Sequence, residues 1–182
     1  SDGLLRTGRA DVARAFADWY QRHLFANGKV PCCVDFRGAD PVPENDSHGQ
    51  YIFLISQLYR YTGDAAALKK DWPSVVAAWQ YMNGLRLSER TDANLTPERR
   101  MLYGLMPPSI SHEGYSAKAQ YSLWDDFWAL RGFKDAAALA ETLETPEAAE
   151  MAAARDTFAA DLFAAIAAAR KHCGGAFIPR AT

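Results

Sequence analysis

Cysteine is scarce, and so is any excess of charge. The chain holds three cysteines, Cys32, Cys33 and Cys173, and its 20 basic and 22 acidic residues leave a net charge of −2. That balance supplies no electrostatic footprint for nucleic acid or an anionic membrane, so neither is an expected partner. Apolar runs are a few residues long, which excludes a transmembrane helix of about 20 residues. No signal-peptide pattern is visible, and Ser1-Asp2-Gly3 is an odd start that points to residues upstream. Compartment stays open. Adjacent Cys32 and Cys33 are poorly placed to bridge each other, and an odd count is a poor disulfide framework. One bridge from that pair to Cys173 remains open. A zinc site needs about four ligands at closer spacing than these cysteines offer, and His112-Glu113 lacks the second histidine of a helical zinc motif. Glycine-rich phosphate loops are absent. Neither metal nor cofactor is expected.

What is present is apolar mass at helical spacing. The 182 residues are 49% hydrophobic and 12% aromatic, enough for a sizeable core and too apolar for disorder. Alanine is the commonest residue, and the spacing predicts an all-α domain of helical hairpins over 1–182. The first helix is expected over 9–24, with Val12, Ala15, Phe16, Trp19, Tyr20 and His23 on one stripe. The second, over 47–61, is apolar around most of its circumference and should be largely buried. Gly63 then stops the helix and Asp64 caps the next one. That third region spans 65–85, with Pro73 restarting it at a first-turn position. A polar stretch, 92–100, holds at most a short turn. Gly132 divides two further helices, 125–132 and 133–143. In the last helix Thr145 caps, Pro146 occupies the first turn, and Gly174 closes. Residues 30–36 and 176–179 are candidate extended pieces only.

Connection lengths alternate. Gly63-Asp64 and Arg131-Gly132 make tight turns, whereas 25–46 and 101–124 are loops of about twenty residues, a length that is usually functional. Both long loops lead into a helix that starts with acidic residues. In the first, Pro31, Pro41 and Pro43 stiffen the backbone, and Glu44, Asp46 and His48 either project into a pocket or, for Asp46, cap the helix. In the second, Tyr121, Trp124, Phe127 and Trp128 flank Asp125-Asp126. Aromatic faces stack on sugar rings, and carboxylates accept hydroxyl hydrogen bonds or move protons. Glycoside hydrolysis needs two such carboxyl groups, one of them protonated. Trp124 beside Asp125 raises the acid's pKa by partial desolvation, the direction a general acid requires. The competing reading is an acidic first turn that complements the helix dipole.

At these residues the chain resembles part of a six-hairpin, (α/α)6-toroid glycosidase, the architecture of glucoamylases, trehalases and related bacterial enzymes. The resemblance is carried by residues 27–34, by Glu44-Asn45-Asp46-Ser47-His48-Gly49, by Tyr61-Thr62-Gly63-Asp64, by residues 104–115, and by Leu123-Trp124-Asp125-Asp126 before Phe127-Trp128-Ala129-Leu130. Leu-Trp-Asp-Asp is similar to the Leu-Trp-Glu-Glu segment of glucoamylases, whose first acid donates the proton and whose second contacts substrate. The resemblance implies Asp125 as general acid, though aspartate here replaces glutamate. It implies Asp126 as a substrate contact; from the two loops themselves, Glu44, Asp46, His112 and Glu113 are candidate sugar contacts, and Trp124, Tyr115 and Trp128 candidate stacking walls. The implied partner is an oligosaccharide or glycoside. A non-catalytic carbohydrate-binding or scaffold module, and a phosphorylase or lyase on the same toroid, are the alternatives. Twelve helices with their connections demand well over about 300 residues. The chain is therefore expected to be an incomplete toroid lacking its catalytic base, with further hairpins or a second copy completing the ring.

Overall fold

The computed structural model describes residues 2–110, 118–175 and 177–179. Six α-helices carry them: α1 (Asp2–Arg6), α2 (Ala10–Gln21), α3 (Asp46–Thr62), α4 (Ala65–Ser88), α5 (Leu123–Thr142) and α6 (Ala148–Cys173). The only strands among the described residues, β1 (Val34–Asp35) and β2 (Gly38–Ala39), pair antiparallel with Val34 opposite Ala39 and Asp35 opposite Gly38. Two 3-10 turns, Asp92–Leu95 and Arg100–Leu102, lie between α4 and α5. The chain is all-α, as its periodicity predicts. No helix among the described residues is long and apolar enough to cross a membrane.

The turn between α3 and α4 forms as its residues dictate. Gly63 takes the left-handed conformation (φ 67°), and the Asp64 carboxylate accepts the Ala67 N–H at 2.9 Å. Helix α3 is the hub, packing on α5, α4 and α2, while α5 packs on α6. Trp124 at the start of α5 bonds Asp46 at the start of α3, and Arg60 near the end of α3 pairs with Asp135 further along α5. The two helices therefore run side by side in the same direction, with their N-termini adjacent. Their core includes Ile52, Ile55, Leu123, Phe133, Phe158 and Leu162, none more than 1% exposed.

Several expectations fail. Helix α5 runs unbroken through Gly132; no turn forms at Arg131-Gly132, because Gly132 meets Gly49 of α3, where a Cβ would lie 2.7 Å from the Gly49 Cα. Helix α4 likewise runs through Pro73. The carbonyl that proline leaves unbonded is that of Lys69, on an exposed residue where water can serve it. Thr145 does not cap α6. The N-cap is Glu147, and the Thr145 hydroxyl is buried without a partner. Gly174 does close α6, at φ 62°. On α2 the predicted stripe is not the core face: Ala13 and Ala17 are fully buried, whereas Phe16 and Trp19 are 45% and 39% exposed. Small residues let α2 approach its neighbours, and the large rings are displaced to the flank. All three cysteines are free, so no bridge reaches Cys173.

Candidate functional site

The two long loops meet over the adjacent N-termini of α3 and α5. Ile110 N–H donates to Pro43 O at 2.9 Å, Asn45 Nδ2 donates to Pro107 O at 2.8 Å, and Ser109 and Gln120 form an antiparallel bridge. The second loop is itself anchored by Leu105 and Met106, both fully buried. These contacts bring acids that are distant in sequence into one place.

Asp125 and Asp126 both lie in the first turn of α5 and are buried, at 1% and 0% exposure. The Ser109 hydroxyl donates to Asp125 Oδ2, and the backbone N–H of Asn45 also bonds this carboxyl. Burial pushes the Asp125 pKa up to about 7. The two hydrogen bonds pull it down, and the charges of Asp46 and Glu44 add to the rise. Asp126 accepts the Met106 N–H at 2.8 Å through Oδ1, while Oδ2 is buried without a partner. Desolvation holds its carboxyl well above the ordinary aspartate value. Asp125 therefore keeps its proton in part near neutrality, the condition acid catalysis requires, and burial shifts Asp126 in the same direction. Neither acid, however, lines the two cavities of the adjacent aromatic surface.

Asp46 is the half-buried acid of the group. It sits in the first turn of α3 and does not cap it; its Oδ2 accepts from Gln50 Nε2 at 2.7 Å and from Trp124 Nε1 at 2.9 Å. Glu44 is buried beside it in the loop. His48 is fully buried, its Nδ1 3.2 Å from Asn45 O and its ring stacked on Tyr81 at 4.9 Å. Its Nε2 has no partner and burial lowers its pKa to about 4, so the imidazole is neutral and structural.

The aromatic residues form a surface rather than walls around Asp125. Trp124 and Trp128 meet edge to face at 6.0 Å, and Trp128 meets Phe53 the same way at 5.6 Å. A cavity of about 380 Å³ is lined by Phe53, Trp124, Phe127, Trp128 and Arg131. A second, of about 440 Å³, shares Phe53 and Trp128 and adds Phe16, Tyr20, Cys32 and Gln50. The structure thus joins Glu44, Asp46, Trp124, Asp125, Asp126 and Trp128 in one region, with the acids beneath the loops and the rings outside. His112, Glu113 and Tyr115 lie outside the described residues. Sequence reasoning missed Ser109 and Met106, whose roles depend on loop path, and Phe53, which reads as core because α3 is apolar nearly all round. Comparison with protein-family models, with curated proteins and with solved structures finds no match to this chain.

Proposed function

We propose that this protein is carbohydrate-active and glycoside hydrolase-like, holding sugar on the Phe53–Trp124–Trp128 surface, with Asp125 as proton donor for cleavage of glycosidic bonds and the catalytic base supplied by further hairpins or a second copy. The observation that carries the reading is the convergence of Asp46, Asp125 and Asp126 at two adjacent helix N-termini beside exposed tryptophan. A general acid must still hold its proton at working pH, and a carboxyl raised to about 7 does so. Asp46, already accepting two side-chain donors, is suited to exchange them for sugar hydroxyls. Trp124, 45% exposed, offers a ring face for stacking.

A second reading is favoured by one specific observation. Asp125 is 1% exposed beneath Ser109, so donation to a glycosidic oxygen requires that Ser109 move aside. Without that movement the same surface serves a non-catalytic carbohydrate-binding module. An oligosaccharide panel screened for both binding and reducing-end release distinguishes the two. Binding with turnover that Asp125→Asn abolishes supports the hydrolase. Binding without turnover even when the remaining hairpins are supplied supports the binding module. No binding to any member removes both.

A further inference from the structure

We propose that the loop joining α2 to α3 holds a thiophilic divalent cation of the zinc class, with Cys32 Sγ, Cys33 Sγ and a carboxylate oxygen of Asp40 as ligands. The three ligand atoms lie within 4.8 Å of one another. The two sulfurs are 3.5 Å apart, and Cys33 Sγ lies 4.0 Å from Asp40 Oδ2. Zinc binds sulfur at about 2.3 Å and carboxylate oxygen at about 2.0–2.2 Å, almost always with tetrahedral angles. Those lengths place two sulfurs about 3.8 Å apart and a sulfur and an oxygen about 3.6 Å apart. The Cys32–Cys33 and Cys33–Asp40 edges differ from these by no more than about 0.4 Å, and the Cys32–Asp40 edge, within 4.8 Å, closes by at most about 1.2 Å, which rotation of Cys32 about χ1 can supply.

The arrangement is imposed by backbone rather than by chance proximity of exposed side chains. The β1–β2 hairpin sets Val34 opposite Ala39, and the next step of the ladder is the Asp40 N–H donating to Cys33 O at 3.0 Å. Cys33 and Asp40 are therefore held as neighbours across seven residues of sequence. Asp40 Oδ1 is engaged by the Val42 N–H at 2.9 Å, which leaves Oδ2 toward the Cys33 sulfur. The base of the loop is fixed as well: Tyr20 donates to Pro31 O at 2.5 Å, and Gly28, at φ 87°, packs where a Cβ would overlap the Ala77 carbonyl.

The local field favours a cation. Asp40 and Glu44 both act electrostatically on Cys32, and a bound divalent ion offsets that accumulation of negative charge. Cys32 also lines the cavity of about 440 Å³, which gives an ion and its remaining water ligand a way in. On binding, the two thiols release their protons to solvent while the cation exchanges water for two thiolates and one carboxylate. No electrons move. A disulfide between the two cysteines is a poorer use of the pair, because S–S bonding at about 2.04 Å needs the sulfurs drawn together by about 1.5 Å within one dipeptide.

The test is titration of the reduced, chelator-treated full chain with Cd²⁺, followed through the ultraviolet thiolate-to-metal charge-transfer band and with Zn²⁺ as competitor. One equivalent should saturate the band, and Zn²⁺ should bleach it. Cys173→Ser should leave it unchanged, Cys33→Ser should remove it, and Asp40→Asn should weaken affinity about 10-fold or more. Should Cys33→Ser fail to fold, maleimide labelling of the unaltered chain decides: the metal should protect Cys32 and Cys33 and leave Cys173 reactive. A reduced chain without the band, a band that needs Cys173, or undiminished affinity in Asp40→Asn would each overturn the proposal. So would finding Cys32 and Cys33 joined as a disulfide that forms at once in air and excludes metal. The proposal does not depend on the carbohydrate reading, and failure of one leaves the other standing.

Discussion

Gly49 of α3 and Gly132 of α5 touch backbone to backbone where the two helices cross. A Cβ at Gly132 would lie 2.7 Å from Gly49 Cα, and one at Gly49 would lie 2.0 Å from the Trp128 carbonyl oxygen. This contact fixes how close α3 and α5 come, and so how close Asp46 and Trp124 lie at their shared end. Gly49→Ala is expected to destabilise the fold by about 3 kcal/mol or more, because the obstacle is backbone that cannot swing away. Gly84 in α4 has nothing within 4 Å, so Gly84→Ala should stabilise by about 0.5–1 kcal/mol through helix propensity alone. Denaturant unfolding of the two variants should give opposite signs. Matching signs would show that the crossing is not as tight as the geometry says.

That contact also explains which features were legible in sequence. Gly63 and Gly174 end helices because nothing but local backbone conformation is at stake, and both could be read from position alone. Gly132 looks the same in sequence, yet its role is set by Gly49 some eighty residues earlier, information that no window around Gly132 contains. The stripe on α2 failed for a related reason: periodicity finds an apolar face but not whether the neighbour demands large residues or, as at Ala13 and Ala17, small ones. At the site, the positions of Asp125 and Asp126 in the first turn of α5 followed from their sequence context. Their burial did not, since it depends on the second loop delivering Ser109 and Met106. Asp40 escaped notice as a companion of Cys33 because only the hairpin brings the two together.

Stability should carry the signature of Asp125. Its folded pKa is about 7 against an ordinary value of 3.8, so between those limits the native state binds more protons than the unfolded chain. The resulting stability is fully present below about pH 4 and is lost as pH rises toward 7, by at most about 1.4 kcal/mol per pH unit. His48 works the other way. Its pKa, lowered from 6.5 to about 4, makes stability rise with pH across nearly the same window. Asp126, whose carboxyl burial also raises, adds to the fall, so the unaltered protein should lose stability from pH 4 to 6.5, and Asp125→Asn should lose distinctly less over the same range. Guanidinium titrations at several pH values check this. A variant profile parallel to that of the parent would mean that Asp125 ionises normally.

Asp135 is expected to matter more than either arginine it holds. Its side chain is 2% exposed and accepts from Arg60 Nη2 at 2.9 Å and Arg131 Nε at 2.7 Å, whereas those arginines are 44% and 39% exposed. The arginines keep much of their hydration when unpaired; a buried carboxylate does not. Arg60→Ala and Arg131→Ala should each cost under about 1 kcal/mol, because one partner remains. The double variant leaves the carboxylate buried and unpaired, and should cost about 3 kcal/mol or more. Thermal unfolding of the three variants gives the comparison, and simple additivity of the two single losses would contradict it.

Sugar binding, if it uses the proposed surface, should divide between ring and acid in a measurable way. Trp124 supplies both a face, 45% exposed, and an indole N–H that occupies Asp46 Oδ2. Trp124→Ala removes the face and should weaken oligosaccharide binding about 10-fold, equivalent to about 1.4 kcal/mol. Trp124→Phe keeps a face and releases Asp46 to accept from the ligand, so its loss should be markedly smaller. Asp46→Asn in the Trp124→Phe background should then undo that recovery. Phe163, 62% exposed on α6, is outside both aromatic cavities and serves as the control: Phe163→Ala should bind as the parent does. Calorimetric titration with the tightest member of the oligosaccharide panel reads all four. Equal losses for Trp124→Ala and Phe163→Ala would remove the Phe53–Trp124–Trp128 surface as the binding face, because a change unrelated to it would then have the same effect.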